Sequence, residues 1–311
     1  TNGIMSIMFA HQSTEAWTTL CNSILNADMN ICSSWANDTE MTGALKEGKA
    51  FLSSSVTVTA KPVEKYKFGS YRQIKEKIFE QVKNQVKSLF EAGFRGPDLL
   101  TACFGKAVRE FGLYKTVEKA DGSEVTVAEL LELTRDAAFN AIISDIDTDS
   151  YTRFYIGWLH MFGFSEAEHD DVRRITQIGL NVDVDQLLKK KILINNGNKE
   201  NLADMRTRCY EFKNLGQNQD SAMIDRVQKA MQLFTGTNRA QLLGFIKKFA
   251  IEPEGIFWRV INSLVETLPS DTIDYKAATG LANVKENLIK EARAIKEEVI
   301  ETRDLHFGES E

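Results

Sequence analysis

The residues able to do chemistry in this sequence are few, and their spacing brings no reactive set together. His160 and His169 each lack a partner at i+3 or i+4, the spacing that would put two ligands on one helix face, so neither marks a metal site. His169 is flanked by Asp170 and Asp171 and reads as a surface residue. Cys21, Cys32, Cys103 and Cys209 form no C-x-x-C pair and no disulfide framework; buried or idle thiols in a reducing cytoplasm account for them. Ser53-Ser54-Ser55 falls inside a strand with no histidine near it in sequence, which is no arrangement for a nucleophile. Phosphate-binding glycine loops, nucleophile elbows and H-E-x-x-H helices are absent from the sequence.

What remains is charge. The chain carries a net −6, yet Lys61 to Gly112 holds eleven basic residues against six acidic ones. A local basic face on an acidic protein can still approach phosphates, because salt confines such fields to roughly 8–10 Å. Lys65, Lys67, Arg72, Lys75, Lys83 and Lys87 are the candidates for nucleic-acid contact, against the blander reading of a solvated helix face.

The elements that would position these residues begin with a strand, a helix and two more strands. Ile4 to Phe9 is a short apolar run. Ser13 can cap a helix whose Trp17, Leu20, Cys21, Ile24 and Leu25 recur at helical spacing. Met29–Trp35 returns as a second strand, and Ala50–Ala60, rich in β-branched residues and closed by Lys61-Pro62, as a third. Strand, crossover helix and strand normally form a parallel unit, and so small a sheet leaves an edge and a face in need of cover. The reading is of a fragment of a longer protein. Apolar positions at helical period then predict a helix over Ser70–Ala92, with lysines and glutamates opposite, and a second from Pro97 to Leu113. Lys115–Val127 reads as a hairpin turning at Asp121-Gly122, or else Thr126 caps a helix from Val127 to Ile146. Further helices are expected at Ser150–Phe162, whose aromatic stripe is core, and at Ser165–Leu180, opened by a capping box. Asn198–Gln219 is polar and irregular; beyond it helices recur over Ser221–Thr235, Asn238–Phe249, Pro253–Leu268 and about Ile273–Arg303.

At 43% hydrophobic residues the composition is that of an ordinary soluble protein, with no apolar run long enough for a bilayer and hence no membrane partner. The fold class is α+β, mostly α, in three parts: residues 1–62, a helical region 63–215 with the small hairpin near 115–127, and a C-terminal helical region 216–311.

A strand, His11, Glu15-Ala-Trp17, Leu20, a strand ending at Trp35, Thr39-Glu40 and the segment Ala50–Pro62 follow one another in an order that resembles a known group. The group is the large adenine-specific DNA methylases that begin with a domain of unknown function and carry an Asp-Pro-Pro-Tyr motif, and the stretch resembled is the end of their catalytic domain. Met223–Ile289, with Ala230-Met231, Phe257-Trp258-Arg259-Val260 and Leu268-Pro269, is similar to their helical tail; Tyr71–Leu215 matches only loosely. The resemblance implies a small three-stranded remnant of a Rossmann-like methyltransferase sheet, its fifth to seventh strands, the last two an antiparallel pair at one side. The cofactor glycine motif and the Asp-Pro-Pro-Tyr tetrapeptide are not in this sequence, so catalytic and cofactor residues are expected to be none here, and S-adenosylmethionine belongs to the parent protein. His11 and Glu40 would lie near the parent's cleft without being catalytic. DNA is the implied partner, together with other subunits of a modification complex, in the cytoplasm. A non-enzymatic helical interaction module of a defence or modification complex is the alternative.

Overall fold

Alternation of outward and inward side chains along three short strands builds the first layer of the protein. In a computed structural model, which describes residues 3–11, 14–38, 54–92, 97–144, 146–178, 180 and 182–295, these are β1 (Met5–Phe9), β2 (Met29–Asp38) and β3 (Ser54–Pro62). Their order is β1-β3-β2, with β3 antiparallel to both neighbours. The strands flanking the crossover helix α1 (Thr14–Asn26) are therefore parallel to each other, as expected, but β3 lies between them. Val56, Val58 and Ala60 of β3 point inward and are buried, while Thr57 and Thr59 face out. A bulge at Cys32 of β2 places both Ile31 and Ser34 on the inner side. The predicted cap Ser13 and residues 50–53 of the third strand fall outside the described residues, as do Thr39-Glu40.

Helices cover the inner face. Trp17 of α1 is fully buried, gives its indole N–H to the His11 carbonyl at 2.8 Å, and meets Phe9 and Phe104 edge-on at 5.0 and 5.6 Å. Phe104 belongs to α3 (Pro97–Phe111), which lies against β2; Ser34 donates to the Ala102 carbonyl at 3.1 Å and Asn30 to the Arg109 carbonyl at 2.9 Å. Gly105 makes this approach possible, since a Cβ there would stand 2.1 Å from Ser34 Oγ.

Before α3, β4 (Tyr66–Ser70) runs directly into α2 (Tyr71–Glu91), which buries Ile74, Ile78, Val82, Val86 and Leu89 at the predicted period. β5 (Tyr114–Glu118) pairs in parallel with β4. The chain after β5 turns back at Asp121-Gly122, where the hairpin over 115–127 was expected: Lys119 N–H donates to the Ser123 carbonyl at 2.9 Å and Val125 N–H to that of Val117 at 2.8 Å. Glu118 and Glu124 form an antiparallel bridge on one edge of β5, while the other edge pairs with β4, a strand too short and mixed to show a period in sequence. Thr126 caps α4 (Val127–Ser144): its hydroxyl accepts from Glu129 N–H and its own N–H donates to the Glu129 carboxylate.

α5 (Ser150–Phe162) buries Phe154, Tyr155 and Trp158, so its aromatic stripe is core. The helix expected from Ser165 is delayed: β6 (Ala167–Glu168) comes first and α6 (His169–Gln177) begins after it. The stretch read as irregular, Asn198–Gln219, carries regular structure too, in its strand at Lys199–Leu202 and its helix at Met205–Glu211. After α7 (Val184–Lys189) come β7 (Leu193–Asn196), β8 (Lys199–Leu202) and α8 (Met205–Glu211). The C-terminal helices are α9 (Met223–Thr235), α10 (Arg239–Phe249), α11 (Ile256–Thr267) and α12 (Ile273–Ala294). The described residues are thus α+β and mostly helical with small sheets, and no helix among them is long and apolar enough to cross a membrane.

Gly105→Ala should force α3 off β2 and lower stability by about 1–3 kcal/mol, as overpacking does. Urea denaturation measures it. Ser34→Gly in the same chain removes the atoms in the way and should recover part of the loss.

Candidate nucleic-acid interface

Of the six cations singled out from sequence, Arg72, Lys75, Lys83 and Lys87 lie along α2, and Lys65 and Lys67 precede it. Lys65 follows β3 and is spent on structure, its ammonium donating to the Leu25 carbonyl at 2.6 Å beside Asp28 at 3.6 Å. A cation there faces the negative end of α1. Lys67 lies within β4. Arg72 pairs with Glu76 one turn on, at 3.6 Å, both largely exposed. Lys75 stands 5.9 Å from the Phe79 ring, and Lys83 and Lys87 are exposed one turn apart. Glu76 and Glu80 share their side of α2, so the helix face is one of mixed sign.

A different polar site lies where α7, α8 and the α8–α9 loop meet, around a cavity of about 440 Å³. Its floor is the ion pair of Arg208 and Asp225, and its wall includes Lys189, Lys190, Lys213 and Asn214. Arg208 is fully buried. Its guanidinium donates to Asp225 Oδ1 at 2.5 Å, to Gln228 Oε1 at 2.5 Å and to the Lys190 carbonyl at 3.3 Å, while Nε has no hydrogen-bond partner among the described residues. Gln228 in turn donates to the Tyr155 hydroxyl at 2.9 Å, and Tyr155 donates to the Ala203 carbonyl at 3.1 Å. The other Asp225 oxygen accepts from Ala222 N–H at 3.2 Å, capping α9. Gly216 lets the loop close on α9, with φ +73° and no room for a Cβ beside Asp225 O and Arg226 Cα. The charges of this floor neutralise one another, and burial holds the Tyr155 phenol well above its usual range, so the network ties helices together rather than moving protons.

Other buried groups tell the same story. Burial pushes the thiols of Cys21 and Cys103 up to about 12 and that of Cys209 to about 11, far from the thiolate that chemistry needs. His160 is buried with its ring edge-on to Phe90 at 5.2 Å. His169 is exposed, but its Nδ1 lies 2.7 Å from the buried Glu200 of β8, a partner too distant in sequence to read from spacing. Burial raises the Asp274 carboxyl to about 6, although it accepts Met205 N–H at 2.9 Å. Among the described residues no group of three His, Cys, Asp or Glu side chains could hold a metal ion. Sequence reading missed Arg208 altogether; the available signal was a cation three residues after Met205, on the stripe that α8 buries.

Comparison with protein families, with curated proteins and with solved structures finds nothing that matches this chain.

Arg208→Met should destabilise the protein by about 3–5 kcal/mol, because it leaves the Asp225 charge buried without its partner; chemical denaturation reads this directly. For Asp274 the folded-state pKa is raised, so the folded protein binds the proton more tightly than the unfolded chain, and its stability falls as pH rises from about 4 through 6. Asp274→Asn keeps an acceptor for Met205 and should therefore be more stable than the parent above pH 6, by about 2–3 kcal/mol, with the difference gone near pH 4. Paired urea titrations at the two pH values check the sign.

Proposed function

We propose that this chain is the C-terminal portion of an S-adenosylmethionine-dependent DNA adenine N6-methyltransferase. On this reading β1, β2 and β3 complete the sheet of the catalytic domain and the helices after them contact DNA or another subunit. The observation that carries it is the strand order β1-β3-β2 with β3 antiparallel to both neighbours. It agrees with the antiparallel final pair, at one side of the sheet, that the resemblance implies. Two features of the same sheet add support. Among the described residues β1 pairs only with β3, which leaves its other edge open to a further strand. The outer face presents Met8 and Trp35 on either side of Thr57, at 66% and 72% exposure, with Ile4 at 73%. Isolated apolar side chains are common on surfaces, but large apolar side chains exposed on both edge strands of one face suit a covered face.

Two cavities among the described residues lie away from the sheet's first and third strands. Ligands of open α/β sheets bind beyond the carboxyl ends of the strands. The cavity at Arg208, and another beside Leu25, Lys65 and Lys115, are lined by no residue of β1 or β3. No methyl-transfer step is therefore assigned to these side chains. The apolar side chains exposed on the sheet also favour the second reading, a non-enzymatic module that docks to a protein partner through this face.

Methyl transfer from labelled S-adenosylmethionine to adenine in DNA separates the two. The intact polypeptide containing these residues should transfer label and the present chain alone should not. Transfer by the present chain alone, or none by the intact polypeptide, would sink the proposal.

A further inference from the structure

Residues 150–202 carry a second arrangement that neither composition nor motif announces. Their elements run helix α5, strand β6, helices α6 and α7, then the hairpin β7–β8. The three strands assemble as β6-β8-β7, antiparallel throughout, so the returning strand of the hairpin lies in the middle. Val172, Ile175, Leu180, Val182, Val184, Leu187, Ile192 and Leu202 are buried beneath them. α7 passes straight into the hairpin: Ile192 N–H donates to the Leu187 carbonyl at 2.9 Å, and Ala203 N–H to that of Ile192 at 2.9 Å. The hairpin tip is pinned to α6, where His169 N–H reaches the Asn198 carbonyl at 3.2 Å and His169 Nδ1 the Glu200 carboxylate at 2.7 Å. This order of elements is that of a winged helix-turn-helix, with α7 in the place of the recognition helix and β7–β8 as the wing.

We infer that residues 150–202 are a winged helix that docks on duplex DNA through the C-terminal end of α7 and the wing, gripping phosphates rather than reading bases. Charge decides which end is used. From Gln186 to Lys199 the chain has Lys189, Lys190, Lys191 and Lys199 and no carboxylate. The opposite end of α7 carries Asp183 and Asp185, both exposed, and the first turn of α6 carries Asp170 and Asp171. In a helix-turn-helix the N-terminal residues of the second helix meet the base edges, and here carboxylates flank that end and repel the backbone on either side of the groove. Two of the four lysines are engaged: Lys190 lies over the Tyr151 ring at 5.0 Å, and Lys199 pairs with Glu168 at 3.1 Å. Lys189 and Lys191 form no ion pair among the described residues. Lys191 also holds φ at +50°, a conformation that glycine or asparagine would adopt with less strain. A long cation kept at a strained turn at the base of the wing, whose tip carries the exposed amides of Asn195 and Asn198, is a feature that phosphate contact explains.

Fluorescence anisotropy with the whole chain and a labelled random-sequence duplex of about 25 base pairs tests this, over salt from about 50 to 200 mM. The parent protein should bind, with an affinity falling steeply with salt and differing little between unrelated sequences. Lys189→Glu with Lys191→Glu should weaken binding by about tenfold or more and flatten the log–log salt slope by about 2 units, near 0.9 per lost phosphate contact. Lys189→Ala with Lys191→Asn, which suits the backbone at 191, should move both readouts the same way while melting as the parent does. Lys83→Glu with Lys87→Glu on α2 should leave binding within about twofold. Parent-like binding by either folded wing variant overturns the inference. So does an equal loss from the α2 variant, strong preference for one duplex, or no binding by the parent at low salt. Methyl transfer plays no part in these readouts, so failure of the enzymatic reading and failure of this one are told apart.

Discussion

A guanidinium taken wholly out of water needs polar partners, and the terminal nitrogens of Arg208 find them in two other parts of the chain. Its donors reach the turn after α7 and two side chains of α9, and through Gln228 the contact extends to Tyr155 on α5. The desolvation of such a charge costs several kcal/mol, so the arrangement holds only while every partner is in place. The helices that meet there are therefore fixed in relative position by direction-dependent bonds, beyond what apolar packing between the same helices would require. Asp149 repeats the pattern on a smaller scale, capping α5 through Thr152 N–H at 3.0 Å while accepting Met223 N–H at 2.8 Å from the start of α9.

Rigid joining of α5, α8 and α9 bears on what the rest of the molecule can do. The wing hairpin follows α7 and is stitched to both α6 and α5, so the lysine-rich end of α7 is carried on a supported frame rather than on a loose loop. The amino-terminal sheet is supported differently. Its inner face is sealed by Trp17, Phe104 and the helices behind them, while among the described residues its outer face exposes Met8 and Trp35 and its edge strands β1 and β2 pair only with β3. One part of the chain ties most of its buried polar groups to one another. Another has apolar surface and strand edges to offer.

Periodicity carried most of the helices into view before any coordinates. The stripes of α1, α2 and α5 fell where Trp17, Ile78 and Trp158 are buried, and Thr126 behaved as the cap its context allowed. The elements that escaped are those whose reason for existing is a partner far away. β4, β6 and β8 are two to five residues long, too short for a period to show, and they exist because β5, β8 and β7 respectively pair with them. Arg208 looks like one more surface cation in a polar stretch until Asp225 and Gln228 are brought to it from the next helix. Counting charge along the basic window puts Lys65 and Lys83 together, whereas one bonds at a helix end and the other shares its face with glutamates.

The insertion of β3 between β1 and β2 has a consequence for how the chain is made. Among the described strands β2 pairs only with β3, so its ladder bonds stay unmade until residues 54–62 have left the ribosome. During that interval α1 is the part able to form by itself, and its apolar stripe must wait for α3, which is later still. Holding factors that bind nascent apolar segments would find their best opportunity here, and a pause in translation after Pro62 would shorten it.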